Sequence, residues 1–360
     1  MGTTATQTIT STARRASYET IASSQIRVLR TFDSVRSWRR PHYRDSSVVG
    51  FVPTMGALHN GHLSLIRAAA RESDHVVVSI YVNPTQFSAK EDLSTYPANW
   101  DADCHLLAEL DHQLARDGTS RGRISAVFAP TDNVMHPTGV PGQEVESKGS
   151  FVTMTPIGEV LEGASRPTFF RGVATHCMKL FNPIQPDRAF FGQKDVQQAA
   201  VIKKMVKDFL LPIDISVCPT ERDPDGLALS SRNVYLGERR RQVATVLIRA
   251  LQAAAKQYHG GATDRDAILG AANQVVAETQ AQQAAMPATS RVNFEVDYIS
   301  LAEPDTMEEV AAHVNREKGA ILSGAIKMFP VEMPQPGEEL GHSGGLLVRL
   351  IDNVVLEGAI

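Results

Sequence analysis

Residues 48–82 read VVGFVPTMGALHNGHLSLIRAAARESDHVVVSIYV and contain two apolar runs around a segment with helical spacing. Residues 48–54 are almost wholly apolar, and residues 75–82 form a continuous run rich in β-branched side chains. Both runs are typical of buried strands in a parallel sheet, whereas residues 62–72 repeat their apolar side chains with the period of a helix. Strand, helix and strand in this order predict a βαβ unit.

The same alternation continues to about residue 221. It predicts helices at residues 101–115 and 195–210 and strands at residues 126–130 and 215–220, with residues 188–191 leading into the second of these helices. Such alternation is typical of a doubly wound parallel sheet. We therefore expect an α/β fold whose Rossmann-like domain covers residues 25–221.

The pattern changes after residue 222. Two successive helices are predicted at residues 238–258 and 264–280, followed by three strands at residues 293–301, 320–328 and 346–356. We expect these elements to form a smaller C-terminal α+β domain, residues 222–360, that acts as a lid. Residues 333–345 are rich in Pro, Gly and Glu and predict a mobile loop, and residues 116–123 predict a polar surface loop.

The composition is that of an ordinary soluble globular protein, with 360 residues, 42% hydrophobic and 21% charged. The formal net charge of −4 argues against a nucleic-acid partner, and no apolar run is long enough to cross a membrane. The three cysteines are far apart in the sequence and form no CxxC pair, so we expect free thiols in a reducing compartment.

The N-terminus allows two interpretations. Residues 1–24 are rich in Ser and Thr, carry Arg14 and Arg15, and contain one acidic residue, Glu19. This composition is compatible with a disordered tail, which we favour, and resembles a mitochondrial transit peptide. We therefore expect a cytoplasmic protein, with a mitochondrial location as the alternative.

Residues 53–62, PTMGALHNGH, carry the most chemical information. They follow the first predicted strand, where nucleotides bind in Rossmann-like sheets. Gly56 and Gly61 allow the backbone to approach a ligand closely, and His59 and His62 share one helical face beside a helix N-terminus, which suits phosphates. The histidine pair has two alternative interpretations. One is a metal site, for which no third ligand is evident, and the other is a pair of surface histidines without a role. The string HNGH lacks the glutamate of the HExxH zinc-protease motif.

The complete string at residues 53–62 resembles the pantoate–β-alanine ligase family of the HxGH nucleotidyltransferase superfamily. Four further blocks match that family in the same order: VNPTQF at residues 82–87, FRGVAT at 170–175, FGQKDVQQ at 191–198 and LALSSRN at 227–233. The similarity runs from about residue 26 to the C-terminus, apart from some loops.

The resemblance implies an ATP-dependent ligase that condenses pantoate with β-alanine through a bound pantoyl adenylate. AMP and pyrophosphate are released, and the product, pantothenate, is a precursor of coenzyme A. The resemblance also implies Mg²⁺ with the ATP and a homodimer. We expect the partners to be small-molecule substrates, with no nucleic acid and no membrane.

The resemblance also implies roles for individual residues. The histidines would contact the β- and γ-phosphates, the lysine of FGQKD would stabilise charge at the α-phosphorus, and the SSR turn would clasp the triphosphate. The implied catalytic residues are His59, His62, Lys194, Ser230, Ser231 and Arg232. The ATP site would add Pro53, Thr54, Met55, Gly61, Asn83, Phe191, Gly192, Asp195, Val217 and Leu229. Gln86 and Gln198 would hold pantoate, and Asp103 would lie near a magnesium ion.

The sequence departs from the family pattern at a few positions. Leu229 replaces a methionine, Ala98 and Asn99 replace Arg-Thr, and His176 and Cys177 replace an apolar pair. Three other functions remain to be distinguished: an adenylyltransferase that leaves AMP on its product, a tRNA synthetase, and a nucleotide-binding protein without activity. The absence of a KMSKS loop and of an evident anticodon-binding module argues against the second.

Overall fold

The computed structural model describes residues 19–87 and 92–358. A six-stranded sheet forms the N-terminal part, with the order β1-β4-β3-β2-β5-β6 and parallel pairing between all neighbours. Its strands are β1 (Arg27–Leu29), β2 (Val49–Thr54), β3 (His75–Ile80), β4 (Arg123–Phe128), β5 (Arg188–Gly192) and β6 (Asp214–Cys218). The predicted Rossmann-like parallel sheet is therefore confirmed.

Seven helices lie in the described N-terminal part. They are α1 (Phe32–Arg44), α2 (Asn60–Glu72), α3 (Trp100–Asp117), α4 (Asp132–Met135), α5 (Glu162–Ser165), α6 (Phe169–Ile184) and α7 (Val196–Asp208). The sequence predicted α2, α3 and α7 to within a few residues. It did not predict β1, α1 or α6, of which the last carries the FRGVAT block.

Alternate residues of the central strands pack against opposite layers of helices. Phe51 and Val77 belong to the core beneath α1, α6 and α7, whereas Val52, Val76 and Val78 belong to the core beneath α2 and α3. Successive side chains of a strand point to opposite faces, so a sheet covered on both sides needs apolar residues at every position. This explains the continuous apolar runs in the sequence.

As far as residue 358, the C-terminal domain contains three α-helices and an antiparallel sheet of order β7-β8-β9. Its elements are α8 (Gly237–Val243), α9 (Val246–His259), α10 (Arg265–Ala284), β7 (Phe294–Ala302), β8 (Ala320–Met328) and β9 (Val348–Leu356). The single helix predicted at residues 238–258 is instead two helices. Ala244 and Thr245 at the break keep backbone angles close to helical, so hydrophobic spacing alone does not reveal the interruption.

The N-terminal segment, the cysteines and the lengths of the helices were also subjects of prediction. Of the predicted N-terminal tail, residues 1–18 lie outside the described residues, while Ile21 is 5% exposed and packs into the core. Cys104, Cys177 and Cys218 are free, as predicted. Among the described helices, none has the length and apolar character needed to cross a membrane.

The strand order places the topological switch point of the sheet between β2 and β5. From β2 the chain moves through β3 to β4 on one side, and then returns to β5 and β6 on the other. Ligands of doubly wound folds bind outside the carboxyl ends of the strands at such a point. In this chain, the HNGH segment follows β2 and Lys194 follows β5.

Candidate active site

A cleft of about 830 Å³ lies over the carboxyl ends of β2 and β5 and is closed on its other side by the C-terminal domain. Most of the residues predicted to act in the site line it together. These are Pro53, Thr54, Met55, His59, Gly61, His62, Gln86, Phe191, Gly192, Lys194, Asp195, Gln198, Leu229, Ser230, Ser231 and Arg232. The sequence blocks, up to about 180 residues apart, therefore meet in one place.

Asp103 holds the turn that leads from β2 into the HNGH segment. Gly56 has a φ of +82° and Ala57 a φ of 50°, a region that side chains disfavour. The two carboxylate oxygens of Asp103 accept the backbone N–H groups of Ala57 and Leu58 at 3.0 and 2.7 Å. Asp103 is 2% exposed, so these bonds stabilise a strained turn from inside the protein.

His59 and His62 cap the first turn of α2 reciprocally. Nδ1 of His59 accepts the N–H of Gly61 at 3.1 Å, and Nδ1 of His62 accepts the N–H of His59 at 3.3 Å. A neutral imidazole that accepts at Nδ1 carries its proton at Nε2. Both histidines therefore keep an Nε2–H donor for another partner.

The absence of a side chain at Gly61 leaves room for the His59 ring. A Cβ at Gly61 would lie 2.8 Å from Cε1 of His59 and 3.0 Å from its Nδ1, closer than side-chain carbons approach. The two rings lie 4.2 Å apart between centroids, at an angle of 46°. Any larger residue at position 61 would displace the first of the paired imidazoles.

Burial keeps both imidazoles neutral at physiological pH. Burial, assisted by the positive charge of Lys194, lowers the pKa of His59 to about 4. Burial, assisted by His59 and Lys194, lowers the pKa of His62 to about 3. The pair thus offers hydrogen-bond donors rather than positive charges, and Lys194 supplies the cation nearby.

Lys194 lies in a 3₁₀ turn, Gln193–Asp195, that joins β5 to α7. Its side chain is 20% exposed, and its Nζ lies 3.8 Å from Oδ2 of Asp195. Lys194 and Asp195 both line the cleft, opposite the N-terminus of α2. The switch point therefore brings a helix N-terminus, two neutral imidazoles and one ammonium group to a single cavity.

The two glutamines predicted to hold pantoate both line the cleft. Oε1 of Gln86 accepts a hydrogen bond of 2.8 Å from Nδ2 of Asn83, a residue that is fully buried. Asn83 therefore orients Gln86 rather than lining the cavity. Gln198 lines the cavity from α7, whereas its neighbour Gln197 is turned inward, where Nε2 donates to the carbonyls of Ile157 and Val160 at 2.9 and 2.8 Å.

The SSR turn is hydrogen-bonded to the loop that follows β2. Ser231 donates to the carbonyl oxygen of Ala57 at 3.0 Å, and Oγ of Ser230 accepts the N–H of Arg232 at 3.2 Å. Arg232 forms two parallel bonds of 2.9 Å with the carboxylate of Asp92. In this conformation the guanidinium predicted to clasp the triphosphate is bound to an aspartate at the rim of the cleft.

Three predicted residues lie behind the cleft lining. Asn83 and Asp103 are buried and act through the hydrogen bonds given above, and Val217 pairs with Phe191 in the sheet. Within residues 19–87 and 92–358, no group of three or more His, Cys, Asp or Glu is placed to hold a metal ion. The assignment of Asp103 to magnesium remains a prediction.

The departures from the family pattern have local explanations. Leu229 lines the cleft beside Gly61, 3.8 Å from the position of a Cβ there. Asn99 caps α3 by accepting the N–H of Ala102 at 3.1 Å. His176 is buried and stacks on Tyr81, with ring centroids 5.5 Å apart, and reaches the cleft wall together with Cys177.

The structure adds cleft residues that the sequence analysis did not identify. Arg166 lines the wall beside Gln86, donating to its carbonyl oxygen at 2.9 Å, with the guanidinium 3.8 Å from the Phe169 ring. Residues 346–352 of the C-terminal domain form the opposite wall. Arg166 lies four residues before the first residue of the FRGVAT block, so its place in the sequence was an available signal, whereas strand residues of a second domain give none.

Comparison with known proteins identifies relatives along nearly the whole chain. The family model for pantoate-beta-alanine ligase matches residues 27–355. The pantothenate synthetase of Roseiflexus castenholzii is 42% identical over 332 residues, which are 92% of this chain and 100% of the relative. The pantoate–beta-alanine ligase of Saccharomyces cerevisiae is 36% identical over 340 residues, with 92% and 100% of the two chains covered.

Solved structures agree with the sequence matches. The pantothenate synthetase of Thermus thermophilus is 34% identical, with a TM-score of 0.70 and 92% and 100% of the two chains covered. The pantoate-beta-alanine ligase of Francisella tularensis, complexed with beta-gamma ATP and beta-alanine, is 28% identical, with a TM-score of 0.59 and 92% and 97% coverage.

Proposed function

The chain belongs to the pantoate–β-alanine ligase family, and from this we infer the part that each side chain of the cleft plays. It is an ATP-dependent ligase that joins pantoate to β-alanine and forms pantothenate. We propose that His59, His62 and Lys194 stabilise the phosphates, that Gln86 and Gln198 hold pantoate, and that the SSR turn closes on the triphosphate.

One observation carries this proposal. The Nε2–H donors of His59 and His62 lie at the N-terminus of α2. The positive charge of Lys194, which lines the same cleft, helps to lower the pKa of both imidazoles. A helix N-terminus, neutral N–H donors and one fixed cation form a suitable environment for a polyphosphate. The position of this group at the switch point between β2 and β5 is where a doubly wound fold binds nucleotides.

In the first step, the carboxylate of pantoate attacks the α-phosphorus of ATP. A carboxylate with a pKa of about 4 is already ionised, so no general base is needed. A bond forms between the carboxylate oxygen and the α-phosphorus, the bond to the bridging oxygen breaks, and pyrophosphate leaves with the electron pair. Catalysis then rests on positioning and on charge stabilisation by Lys194, His59 and His62.

In the second step, the neutral amine of β-alanine attacks the acyl carbon of the bound pantoyl adenylate. The carbon–nitrogen bond forms, the bond to the phosphate oxygen breaks, AMP leaves, and the nitrogen loses its extra proton. The anhydride is sensitive to water until this happens. The wall formed by residues 346–352 supports a lid role for the C-terminal domain, which would limit access of water.

Mg²⁺ would enter with ATP as its counter-ion. Such ions are usually bound by phosphate oxygens, several waters and one or two carboxylates rather than by a protein cage. The cleft fits this pattern, because Asp195 lines it with a partly exposed carboxylate. When bound, the ion would neutralise phosphate charge, and Asp195 would be a carboxylate able to hold it, because both oxygens of the buried Asp103 already accept backbone N–H groups.

We also propose that the chain forms a homodimer, that it acts in the cytoplasm, and that residue 222 begins the lid domain. Sedimentation of the purified protein would test the first point, because a single-chain mass would contradict it. Imaging of the tagged full chain would test the second, with the mitochondrial alternative as the contradicting outcome.

Isotope exchange tests the two-step reaction. Pantoate alone should support exchange of labelled pyrophosphate into ATP, and β-alanine alone should not. Exchange that requires β-alanine would contradict the bound adenylate. With both substrates, one AMP should be released for each pantothenate. An adenylyltransferase would retain AMP on its product, and a non-catalytic protein would bind ATP without turnover.

A further inference from the structure

Asn353 connects the C-terminal domain to the turn that carries Lys194. It lies on β9, opposite Ser323 of β8, and is 2% exposed. Its Nδ2 donates to the carbonyl oxygens of Gln193 and Lys194 at 2.8 and 3.0 Å. Its Oδ1 accepts a hydrogen bond of 3.3 Å from Nε2 of Gln193. The side-chain amide of Asn353, in the C-terminal domain, is therefore hydrogen-bonded to the 3₁₀ turn that carries Lys194.

A second set of contacts fixes the position of Asn353 itself. Its backbone N–H donates to Oδ1 of Asp352 at 2.8 Å. Asp352 is 4% exposed and binds Arg222 through two bonds of 2.6 and 2.8 Å. The two charge-assisted hydrogen bonds of such a bidentate pair are each stronger than a neutral hydrogen bond. The asparagine is therefore held in place before any ligand binds.

The turn that Asn353 grips lacks a side-chain cap of its own, because Gly192 precedes it. Lys194 carries its ammonium group on four flexible methylenes, so the place of its Nζ depends on how firmly the backbone at its base is held. Two hydrogen bonds from one buried amide to successive carbonyl oxygens fix that backbone. They exist only while β9 lies against the turn.

We propose that Asn353 is a positioning residue that aligns Lys194 for adenylate formation when the C-terminal domain is seated. The proposal rests on the proposed role of Lys194 at the α-phosphate. It makes closure of the lid a condition for the first chemical step, because an open lid would leave the Lys194 turn without its support.

Asn353→Asp tests the contact with little change of volume. It replaces the two donor hydrogens by an oxygen that repels both carbonyls. We expect kcat for pyrophosphate exchange to fall by about tenfold to a hundredfold, since a displacement of about 1 Å can have that effect on an aligned group. The KM for ATP and the rate from preformed pantoyl adenylate should change by no more than about threefold.

A matched control and a second variant separate positioning from general damage. Asn293→Asp makes the same change in the same domain, where Nδ2 of Asn293 donates to Glu332 at 2.7 Å, and it should leave both half-reactions unchanged. Asn353→Ala removes the donors without adding charge and should reproduce the loss in the first step. Thermal unfolding of each variant should show a folded protein at the assay temperature.

A double-mutant cycle with Lys194→Ala decides the matter. If Asn353 acts through Lys194, adding Asn353→Asp to Lys194→Ala should lower the exchange rate by no more than about twofold further. A full additional loss in that background would overturn the proposal, because Asn353 would then act independently of the lysine. If Lys194→Ala alone leaves exchange intact, the proposed role of Lys194 fails instead.

Discussion

His59 and His62 each use one ring nitrogen to cap their own helix and leave the other ring nitrogen available to a ligand. Each Nδ1 accepts a backbone N–H of the first turn of α2, so each Nε2–H remains available to the cleft. This division requires neutral rings. A protonated imidazole would lose its Nδ1 acceptor and with it the cap, so low pH should affect the local fold as well as the chemistry.

The stability of the protein should therefore depend on the titration of His62. Its pKa is about 3 in the folded chain, against an ordinary value of 6.5. Between these values the unfolded chain binds a proton that the folded chain does not, so the free energy of unfolding falls as the pH drops below 6.5. His62→Gln removes this contribution, and its free energy of unfolding should fall less from about pH 7 to about pH 5, by about 2 kcal/mol.

Urea unfolding at both pH values measures this difference. His105→Gln is the control, because the side chain of His105 is 74% exposed on the surface of α3 and takes no part in the cap of α2. Equal decreases for the native chain and His62→Gln would contradict a buried, neutral His62.

The segment from Asp92 to Tyr96 forms one rim of the cleft. Asp92 binds Arg232 through two bonds of 2.9 Å, and the rings of Phe87 and Tyr96 lie 5.4 and 5.7 Å from the guanidinium. The pair holds the SSR turn against this rim. Transfer of the Nε and Nη2 donors of Arg232 to a triphosphate would require the contact with Asp92 to open.

Asp92→Asn should therefore strengthen ATP binding. The amide weakens the charged pair, and Arg232 becomes easier to transfer to the phosphates. We expect the Kd for ATP to fall by about threefold to tenfold, the range that corresponds to about 1 kcal/mol. Asp74→Asn is the matched control, since Asp74 binds Arg121 through two bonds of 2.8 Å on the surface. Calorimetric titration showing unchanged or weaker binding for Asp92→Asn would contradict this view.

The central strands could be predicted from the sequence, whereas β1 and α1 could not. The central strands were predictable because both of their faces are buried, which produces unbroken apolar runs. Strand β1 has three residues, too few for any periodic signal. Helix α1 buries only Val35, Trp38 and Arg39 and contains Pro41, so its pattern is weak.

Much of the cleft lining was predictable because the family motifs supply it. The HNGH segment, Lys194 and the SSR turn all line the cleft. The supporting contacts were not predictable, because they join distant positions. Asn353 lies 159 residues from Lys194, and Arg349 lies 187 residues from Glu162. Nothing in the local sequence around these residues indicates their partners.

An ion pair between the two domains closes the cleft beside the Asn353 contact. Arg349 of β9 binds Glu162 of α5 through two bonds of 2.7 and 2.6 Å and also binds Asp297 at 3.0 Å. The side chains of Arg349 and Glu162 are 18% and 8% exposed. Removing one partner of a buried pair leaves an uncompensated charge, which strongly disfavours the closed arrangement.

Arg349→Met should loosen the lid and let water reach the adenylate. We expect AMP release from ATP and pantoate, without β-alanine, to rise by about tenfold or more, since a loss of 1.4 kcal/mol already corresponds to that factor. Arg291→Met is the control, because Arg291 pairs with Glu332 at 2.6 Å within the C-terminal domain. A variant that stays folded and releases no more AMP than the native chain would show that this pair does not hold the lid.

Rapid-quench measurement of the two half-reactions in Lys194→Ala tests the proposed charge stabilisation at the switch point. A fixed cation stabilises the transition state of pyrophosphate departure more than it stabilises bound ATP, so its loss should fall on kcat of the first step. We expect adenylate formation to slow by about 10²–10³-fold, with a much smaller effect when preformed pantoyl adenylate reacts with β-alanine. His59→Ala and His62→Ala should show the same asymmetry. Equal losses in both half-reactions would instead indicate a role in folding or pocket shape and would contradict phosphate contact.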